Sequence, residues 1–122
     1  MSCYLIRATA TGFKFDLKAA NGETVATSEV YETPAACRKG IASVRKCASA
    51  ARIEDQTMQG FKALSNPKFE IFTDKAGAFR FRLKARNGKV IAVSENYTSR
   101  SGCEHGIESV KANAAEAEVV SE

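Results

Sequence analysis

The sequence predicts an α+β protein made from a duplicated strand–strand–strand–helix unit. The first observation behind this prediction is an internal repeat, in which residues 12–51 match residues 78–117 without a gap at 18 of 40 positions. The second is a change of hydrophobic period within each copy, from that of a strand to that of an amphipathic helix. We expect a six-stranded antiparallel sheet with both helices on one face and a pseudo-two-fold between the copies.

Each copy begins with a short apolar run, at Tyr4–Ile6 and at Phe69–Phe72. A strictly alternating segment follows, which reads FKFDLK at 13–18 and FRFRLK at 79–84. Alternation with a period of two predicts a strand with one buried and one solvated face.

An Asn-Gly pair follows the alternating strand in both copies, at Asn21-Gly22 and Asn87-Gly88. Both central residues of a type I′ turn need positive φ, and Asn and Gly tolerate it best. We therefore expect two type I′ hairpins, with return strands over Thr24–Val30 and Val90–Asn96.

The hydrophobic period changes after the return strands. Thr33 before Pro34 is typical of a helix start, and Ser99 is the equivalent cap in the second copy. Apolar residues then recur at helical spacing, at Cys37, Ile41, Val44, Ala48 and Ala51 and at Cys103, Ile107, Val110, Ala114 and Ala117. We expect one domain over residues 1–122, with repeats at about 3–52 and 68–118 and a linker at 53–67.

The second copy, Lys68–Ala114, resembles the YegP-like family of small bacterial proteins of unknown function. The aromatic strand, the Asn-Gly turn, the SENY segment and the C-x-x-G-I-x-S-V helix carry the resemblance, in that order. The first copy resembles the family more weakly and departs from its pattern at Pro34, Ala35 and Cys47.

The resemblance implies a unit that occurs singly or in tandem. In the tandem form it implies one continuous sheet, with each helix packed over the strands of the other unit. Single-unit members are implied to pair as homodimers, so this chain would be a monomer that acts as an internal pseudo-dimer. The resemblance implies no activity.

Composition restricts the function only broadly. The net charge of +4 and the pI of about 9.0 are mildly basic, far from the dense charge of a nucleic-acid-binding tail. The sequence has no apolar run of membrane-spanning length and no secretory signal, so we expect a cytoplasmic protein with four reduced cysteines.

Catalytic and metal-binding patterns are absent from the sequence. Cys37 and Cys103 lie on the apolar helix stripes and are interpreted as small buried hydrophobes. Cys47 lies on the flank of the first helix and could be partly exposed, and His105 is expected on a solvated helix position. The cysteines lack the spacing of metal ligands, and no nucleotide-binding or hydrolase motif occurs. We expect no cofactor and no metal, and an enzyme is the weakest hypothesis.

Two polar sets remain as candidate sites. One recurs at the strand ends, at Ser28, Glu29 and Tyr31 and at Ser94, Glu95 and Tyr97. It is either a polar site formed twice or, as we favour, a set that satisfies turn and helix-start groups. The other is a basic strand face, formed by Arg80, Arg82, Lys84 and Arg86 with Lys14 and Lys18.

The basic face has two interpretations. It could bind phosphate groups of RNA or DNA, or an acidic partner, but it lacks interleaved aromatic residues for stacking on single strands. The favoured interpretation is a solvated face whose charge assists pairing of the repeats. The leading hypothesis is thus a small accessory or binding protein of undetermined partner. Weak nucleic-acid or anion binding is the first alternative, and an enzyme with a site near Glu29 and Glu95 is the second.

Overall fold

The computed structural model describes residues 1–121, which form eight β-strands and two α-helices. In chain order these are β1 (Cys3–Ala8), β2 (Phe13–Lys18), β3 (Thr24–Thr27), α1 (Pro34–Ala48), β4 (Arg52–Asp55), β5 (Lys68–Thr73), β6 (Phe79–Lys84), β7 (Val90–Val93), α2 (Arg100–Ala114) and β8 (Glu118–Ser121). Neither helix of this described part has the length and apolar composition needed to cross a bilayer. The chain is an α+β protein, as predicted.

All eight strands belong to one mixed sheet, in the order β4-β5-β6-β7-β3-β2-β1-β8. The β4–β5 and β1–β8 pairings are parallel, and the other five are antiparallel. The predicted six-stranded antiparallel sheet with a pseudo-two-fold was therefore wrong in strand number and in the direction of two pairings. The missed strands have four residues each, and neither is the return strand of a hairpin that a turn motif would have marked. One of them, Arg52–Asp55, also occupies the start of the predicted linker.

The two parallel pairings connect the repeats reciprocally. Strand β4 ends the first repeat but pairs with β5 of the second, with Ile53 opposite Phe69. Strand β8 ends the second repeat and pairs with β1 of the first, with Val119 opposite Tyr4. Each repeat therefore supplies the edge strand of the other.

A single hydrophobic core lies between the sheet and the two helices. The inward strand residues Phe15, Leu17, Phe81 and Leu83 are at most 1% exposed. The helices contact each other, and each also contacts strands of both repeats. Their buried faces are the predicted apolar stripes, although α1 and α2 end at Ala48 and Ala114, so that Ala51 and Ala117 are buried beyond the helix ends.

A tyrosine at the end of each return strand packs against a glycine of the following helix. A Cβ added to Gly40 would overlap the Oη of Tyr31 and lie 2.7 Å from its Cζ. A Cβ added to Gly106 would overlap the Oη of Tyr97 and lie 2.8 Å from its Cζ. The two tyrosine–glycine contacts explain why these four residues recur at the same spacing in both repeats.

The hairpin turns differ from the predicted type I′ geometry. Among residues 1–121 only glycines have positive φ, so Asn21 and Asn87 do not adopt it, while Gly22 has φ 85° and Gly88 has φ 83°. Each asparagine Oδ1 instead accepts a hydrogen bond from the amide two residues later, at 3.0 Å. The Gly22 amide donates to the Ala19 carbonyl at 2.9 Å, so the positive-φ glycine is the last residue of a four-residue turn. Register shifts in both hairpins accommodate this longer loop.

A buried ion cluster, formed by Glu54, Lys68, Glu70, Arg82 and Lys84, holds β4, β5 and β6 together. The Lys68 ammonium lies 2.8 Å from Glu54 and 3.2 Å from Glu70. Glu70 also accepts Arg82 at 2.5 Å and lies 3.4 Å from Lys84. Both carboxylates are 2% exposed, and their charge is compensated by the three cations.

The connection between β4 and β5 is tied to this buried ion cluster. The Leu64 amide donates to Glu54 at 2.6 Å, and the Gln56 side chain donates to the same carboxylate at 2.7 Å. Burial alone would raise the pKa of Glu54, but the hydrogen bonds from Lys68, Gln56 and Leu64 outweigh it and lower the pKa to about 2. Hydrogen bonds from Arg82 and Lys68 likewise outweigh the burial of Glu70 and lower its pKa.

Replacement of the helix glycines by alanine is expected to destabilise the fold. Gly→Ala within a helix normally stabilises by about 0.5–1 kcal/mol, but at Gly40 or Gly106 the tyrosine must move, which costs about 1–3 kcal/mol. Denaturant unfolding of Gly40→Ala, of Tyr31→Phe and of the double variant measures the effect. The double variant should recover part of the loss, because Tyr31→Phe removes the closest atom. A stabilised Gly40→Ala variant would contradict the contact.

Glu54 is expected to make stability depend on pH in the acid range. A carboxyl with a pKa of 4.5 unfolded and about 2 folded stabilises folding above pH 4.5 and loses this contribution as the pH falls to about 2. The contribution is on the order of 3 kcal/mol. Denaturant unfolding between pH 7 and pH 2 should therefore give a smaller acid loss for Glu54→Gln than for the unmodified chain. Glu116→Gln, at an exposed position, is the control, and equal acid losses for all three proteins would refute the role of Glu54.

Candidate functional site

A cleft opens on the face of the sheet opposite the helices, where β3 of the first repeat meets β7 of the second. Its volume is about 370 Å³. We call it the seam cleft, and its walls are Arg7, Lys14, Thr27, Ser28, Glu29, Arg80, Val93, Ser94 and Glu95. Eight of these nine residues are four pairs of counterparts 66 positions apart in the sequence, so both repeats build the cleft.

The seam is open because β3 and β7 share a single register pair. Thr27 lies opposite Val93, which is its own counterpart in the second repeat. Just beyond this pair, the Ser28 hydroxyl accepts the Phe15 amide at 2.9 Å and donates to the Glu29 carbonyl at 2.8 Å. The side chain thus replaces one main-chain hydrogen bond between β3 and β2. The Ser28 amide still donates to the Phe15 carbonyl at 3.0 Å, and Tyr31 pairs with Phe13.

The second repeat forms the same serine arrangement. The Ser94 hydroxyl accepts the Phe81 amide and donates to the Glu95 carbonyl, both at 2.8 Å. Ser28 and Ser94 are 4% and 3% exposed, so they shape the cleft floor from within the structure. This local role accounts for the recurrence of the serine at both strand ends.

The cations of the seam cleft differ in their partners. The Arg7 Nε donates to Asp16 at 2.8 Å, and Asp16 also accepts the Thr27 hydroxyl at 2.9 Å. The Arg80 guanidinium donates to the Ser94 carbonyl at 3.0 Å, which fixes its position without neutralising its charge. Within residues 1–121 no ion pair includes Lys14 or Arg80.

Glu29 and Glu95 carry the negative charge of the seam cleft. Both residues are exposed. In the described part of the chain neither of them takes part in an ion pair. The cleft walls therefore include two basic and two acidic residues that take part in no ion pair within residues 1–121.

The remaining residues of the predicted basic face do not reach the seam cleft. Arg82 and Lys84 belong to the buried ion cluster, and the Arg82 guanidinium lies 4.3 Å from the centre of the Phe72 ring. Arg86 is exposed in the turn after β6, and Lys18 is half-buried at the end of β2. Of the six predicted contact residues, only Lys14 and Arg80 line the seam cleft.

The cysteines lie outside the cleft. Cys37 and Cys103 are fully buried, and burial raises the pKa of both thiols, that of Cys103 to about 11. Cys47, which we considered partly exposed, is 4% exposed, and His105 is on the exposed side of α2. Across residues 1–121 no three His, Cys, Asp or Glu side chains converge as metal ligands would.

Sequence reasoning missed Arg7, Thr27 and Val93. Arg7 lies on β1, directly after the apolar run. It pairs with Lys14 of β2. Thr27 and Val93 differ in residue type, so the internal repeat did not single them out. If each residue of β3 had been placed opposite its counterpart in β7, the repeat itself would have indicated this cleft.

Comparison with known proteins gives the same family for both repeats. The model of the family described as "Domain of unknown function (DUF1508)" matches residues 8–55 and again residues 74–121. A UPF0339 protein of Treponema denticola is 64% identical over 53 residues, which cover 43% of this chain and 91% of the relative. The UPF0339 protein YegP of Escherichia coli O157:H7 is 38% identical over 109 residues, which cover 89% of this chain and 86% of the relative.

Solved structures agree with the sequence comparison. The solution structure of yegP from E. coli, described as a protein of unknown function, matches with a TM-score of 0.80 and 34% identity and covers 99% of this chain and 92% of that one. A UPF0339 protein from Shewanella oneidensis matches with a TM-score of 0.78 and 28% identity and covers 98% of this chain and 90% of that one. The YegP-like resemblance predicted from the sequence is confirmed, and the chain belongs to the DUF1508 family, with its domain present twice in tandem.

Proposed function

We propose that this protein is a binding protein whose seam cleft takes a small polar molecule carrying an anionic group. The observation that carries the proposal is the position of Lys14 and Arg80, two counterpart cations that line one cleft without carboxylate partners. The volume of about 370 Å³ lies in the range of about 300–1,000 Å³ usual for small-molecule sites. The charged walls favour a polar ligand over an apolar one.

Arg80 is suited to anion recognition because its guanidinium is already positioned. Its two hydrogen bonds to the Ser94 carbonyl, at 3.0 and 3.3 Å, use part of its donor set and leave other N–H groups for a ligand. A side chain held in place before binding loses less conformational freedom when the ligand arrives. Lys14 supplies a second, more flexible cation from the other repeat.

The hypothesis of nucleic-acid binding has less support than that of small-ligand binding. Glu70 compensates Arg82 and Lys84, which interrupts the predicted basic face. The neighbouring Phe81 is fully buried and so is not a stacking platform. The enzyme hypothesis gains a cleft lined by Glu29 and Glu95. The hydroxyl groups of its walls already donate hydrogen bonds, however, those of the two serines to carbonyls and that of Thr27 to Asp16.

The wider organisation is part of this proposal. We infer that residues 1–122 act as one domain and as a monomer, with the repeats in the place of two subunits. The reciprocal edge strands support this inference, because neither repeat has a complete sheet of its own. We also propose a cytoplasmic location, for which the four free thiols are suited.

Glutarate, a small dicarboxylate, is expected to bind at the seam cleft at low ionic strength. Titration followed by amide chemical shifts should show the largest changes at β2, β3, β6 and β7 beside the cleft. Lys14→Gln and Arg80→Gln should each weaken binding about tenfold, because each removes one charge-assisted contact. Lys18→Gln, on the same strand but outside the cleft walls, is the matched control.

Two results would contradict the proposed function. The first is an absence of saturable shifts with glutarate at millimolar concentration. The second is salt-sensitive binding of mixed-sequence single-stranded RNA that Lys84→Gln or Arg86→Gln abolishes and Lys14→Gln leaves unchanged. The second result would place the binding site on the basic strand face instead of the seam cleft.

A further inference from the structure

We infer that the ligand of the seam cleft is a small zwitterion, a molecule with one anionic and one cationic group. This inference rests on the proposed function and specifies its ligand class. It starts from the charge of the cleft walls, in which Arg7 is neutralised by Asp16 while Lys14, Arg80, Glu29 and Glu95 have no ion-pair partner within residues 1–121. The unpaired charges therefore sum to zero.

A ligand of one sign meets this cleft unfavourably. A dianion placed between Lys14 and Arg80 would also lie beside Glu29 and Glu95, and the repulsion would cancel part of the attraction. A dication would suffer the same penalty from Lys14 and Arg80. A zwitterion can place each of its charges nearer to the opposite charge of the walls, so that attraction outweighs repulsion.

Both repeats contribute one charge of each sign. Lys14 and Glu29 come from the first repeat, and Arg80 and Glu95 are their counterparts 66 residues later. Each repeat therefore offers a cation and a carboxylate to the same cleft. The cleft can accept a zwitterion in either of two opposite orientations, in which the ammonium lies near Glu29 or near Glu95.

The main chain on both sides of the cleft is held in place before a ligand binds. Ser28 and Ser94 hold the strand ends through hydrogen bonds to the Glu29 and Glu95 carbonyls, both at 2.8 Å. The main chain that carries the two carboxylates is thereby fixed before a ligand binds. A main chain held in place before binding limits the positions that the two carboxylates can take when a ligand arrives.

Three probes with the same five-carbon chain separate the possibilities: glutarate with two carboxylates, δ-aminovalerate with one carboxylate and one ammonium, and cadaverine with two ammonium groups. We expect δ-aminovalerate to bind the full chain about tenfold more tightly than either of the others, measured by amide chemical shifts at low salt. The Glu29→Gln, Glu95→Gln double variant should lose this preference and bind glutarate more tightly than the unmodified chain does.

A matched control makes the same change in net charge but alters no residue of the cleft walls. The Glu23→Gln, Glu116→Gln double variant alters two exposed carboxylates that do not line the cleft, and it should retain the preference for δ-aminovalerate. The amide spectrum of each variant reports whether the fold is unchanged, and Glu29→Ala with Glu95→Ala provides a second cleft variant should the glutamine pair disturb it.

The outcomes are distinguishable. Tightest binding of glutarate by the unmodified chain would overturn the zwitterion and leave the proposed anion site standing. Tightest binding of cadaverine would overturn both, as would the absence of binding by all three probes. Equal effects of the cleft and control variants would also overturn the zwitterion, since the preference would then arise from overall charge.

Discussion

Two short parallel pairings hold this fold together, because in each of them the strand that ends one repeat is bonded to the strand that begins the other. Strand β4 pairs with β5 and β8 pairs with β1 over four register positions each. Without its partner, each repeat would leave its first strand as an unpaired sheet edge. The exchange of edge strands between the repeats fixes how the two halves of the sheet are oriented. The adjacency of β3 and β7, and therefore the seam cleft, depends on that orientation.

The two pairings are secured by different chemistry. At β1 the Tyr4 hydroxyl donates to the Ala114 carbonyl at 2.6 Å and burial raises the tyrosine pKa to about 12, so the hydroxyl stays a donor. Arg45 lies 5.3 Å from that ring and donates to the Ala117 carbonyl at 2.5 Å, which attaches α1 to the start of β8. At β5 the buried ion cluster has the corresponding role. The two repeats thus have the same backbone topology, but different side chains stabilise the two parallel pairings.

The sequence supplied those parts of the fold that depend on local pattern. Residues 13–18 and 79–84 alternate strictly, and alternation alone determines which face is buried. Strands β4 and β8 escaped prediction because the segments RIED and EVVS are short and their partners lie in the other repeat. Lys14, Arg80, Glu29 and Glu95 were each recognised as candidates, but in separate sets. Their convergence follows from the strand order, which brings β3 beside β7 and which no local pattern encodes.

Native-state hydrogen exchange tests most directly whether the reciprocal strands make the two repeats one folding unit. Amides of β2 and β6, the central strands of the first and second repeats, would be followed at increasing denaturant concentration. We expect both sets to exchange through the same opening, with equal free energies and equal denaturant dependence, because neither repeat opens without exposing the core of the other. Exchange of one set through a smaller opening, while the other set stays protected, would contradict this expectation.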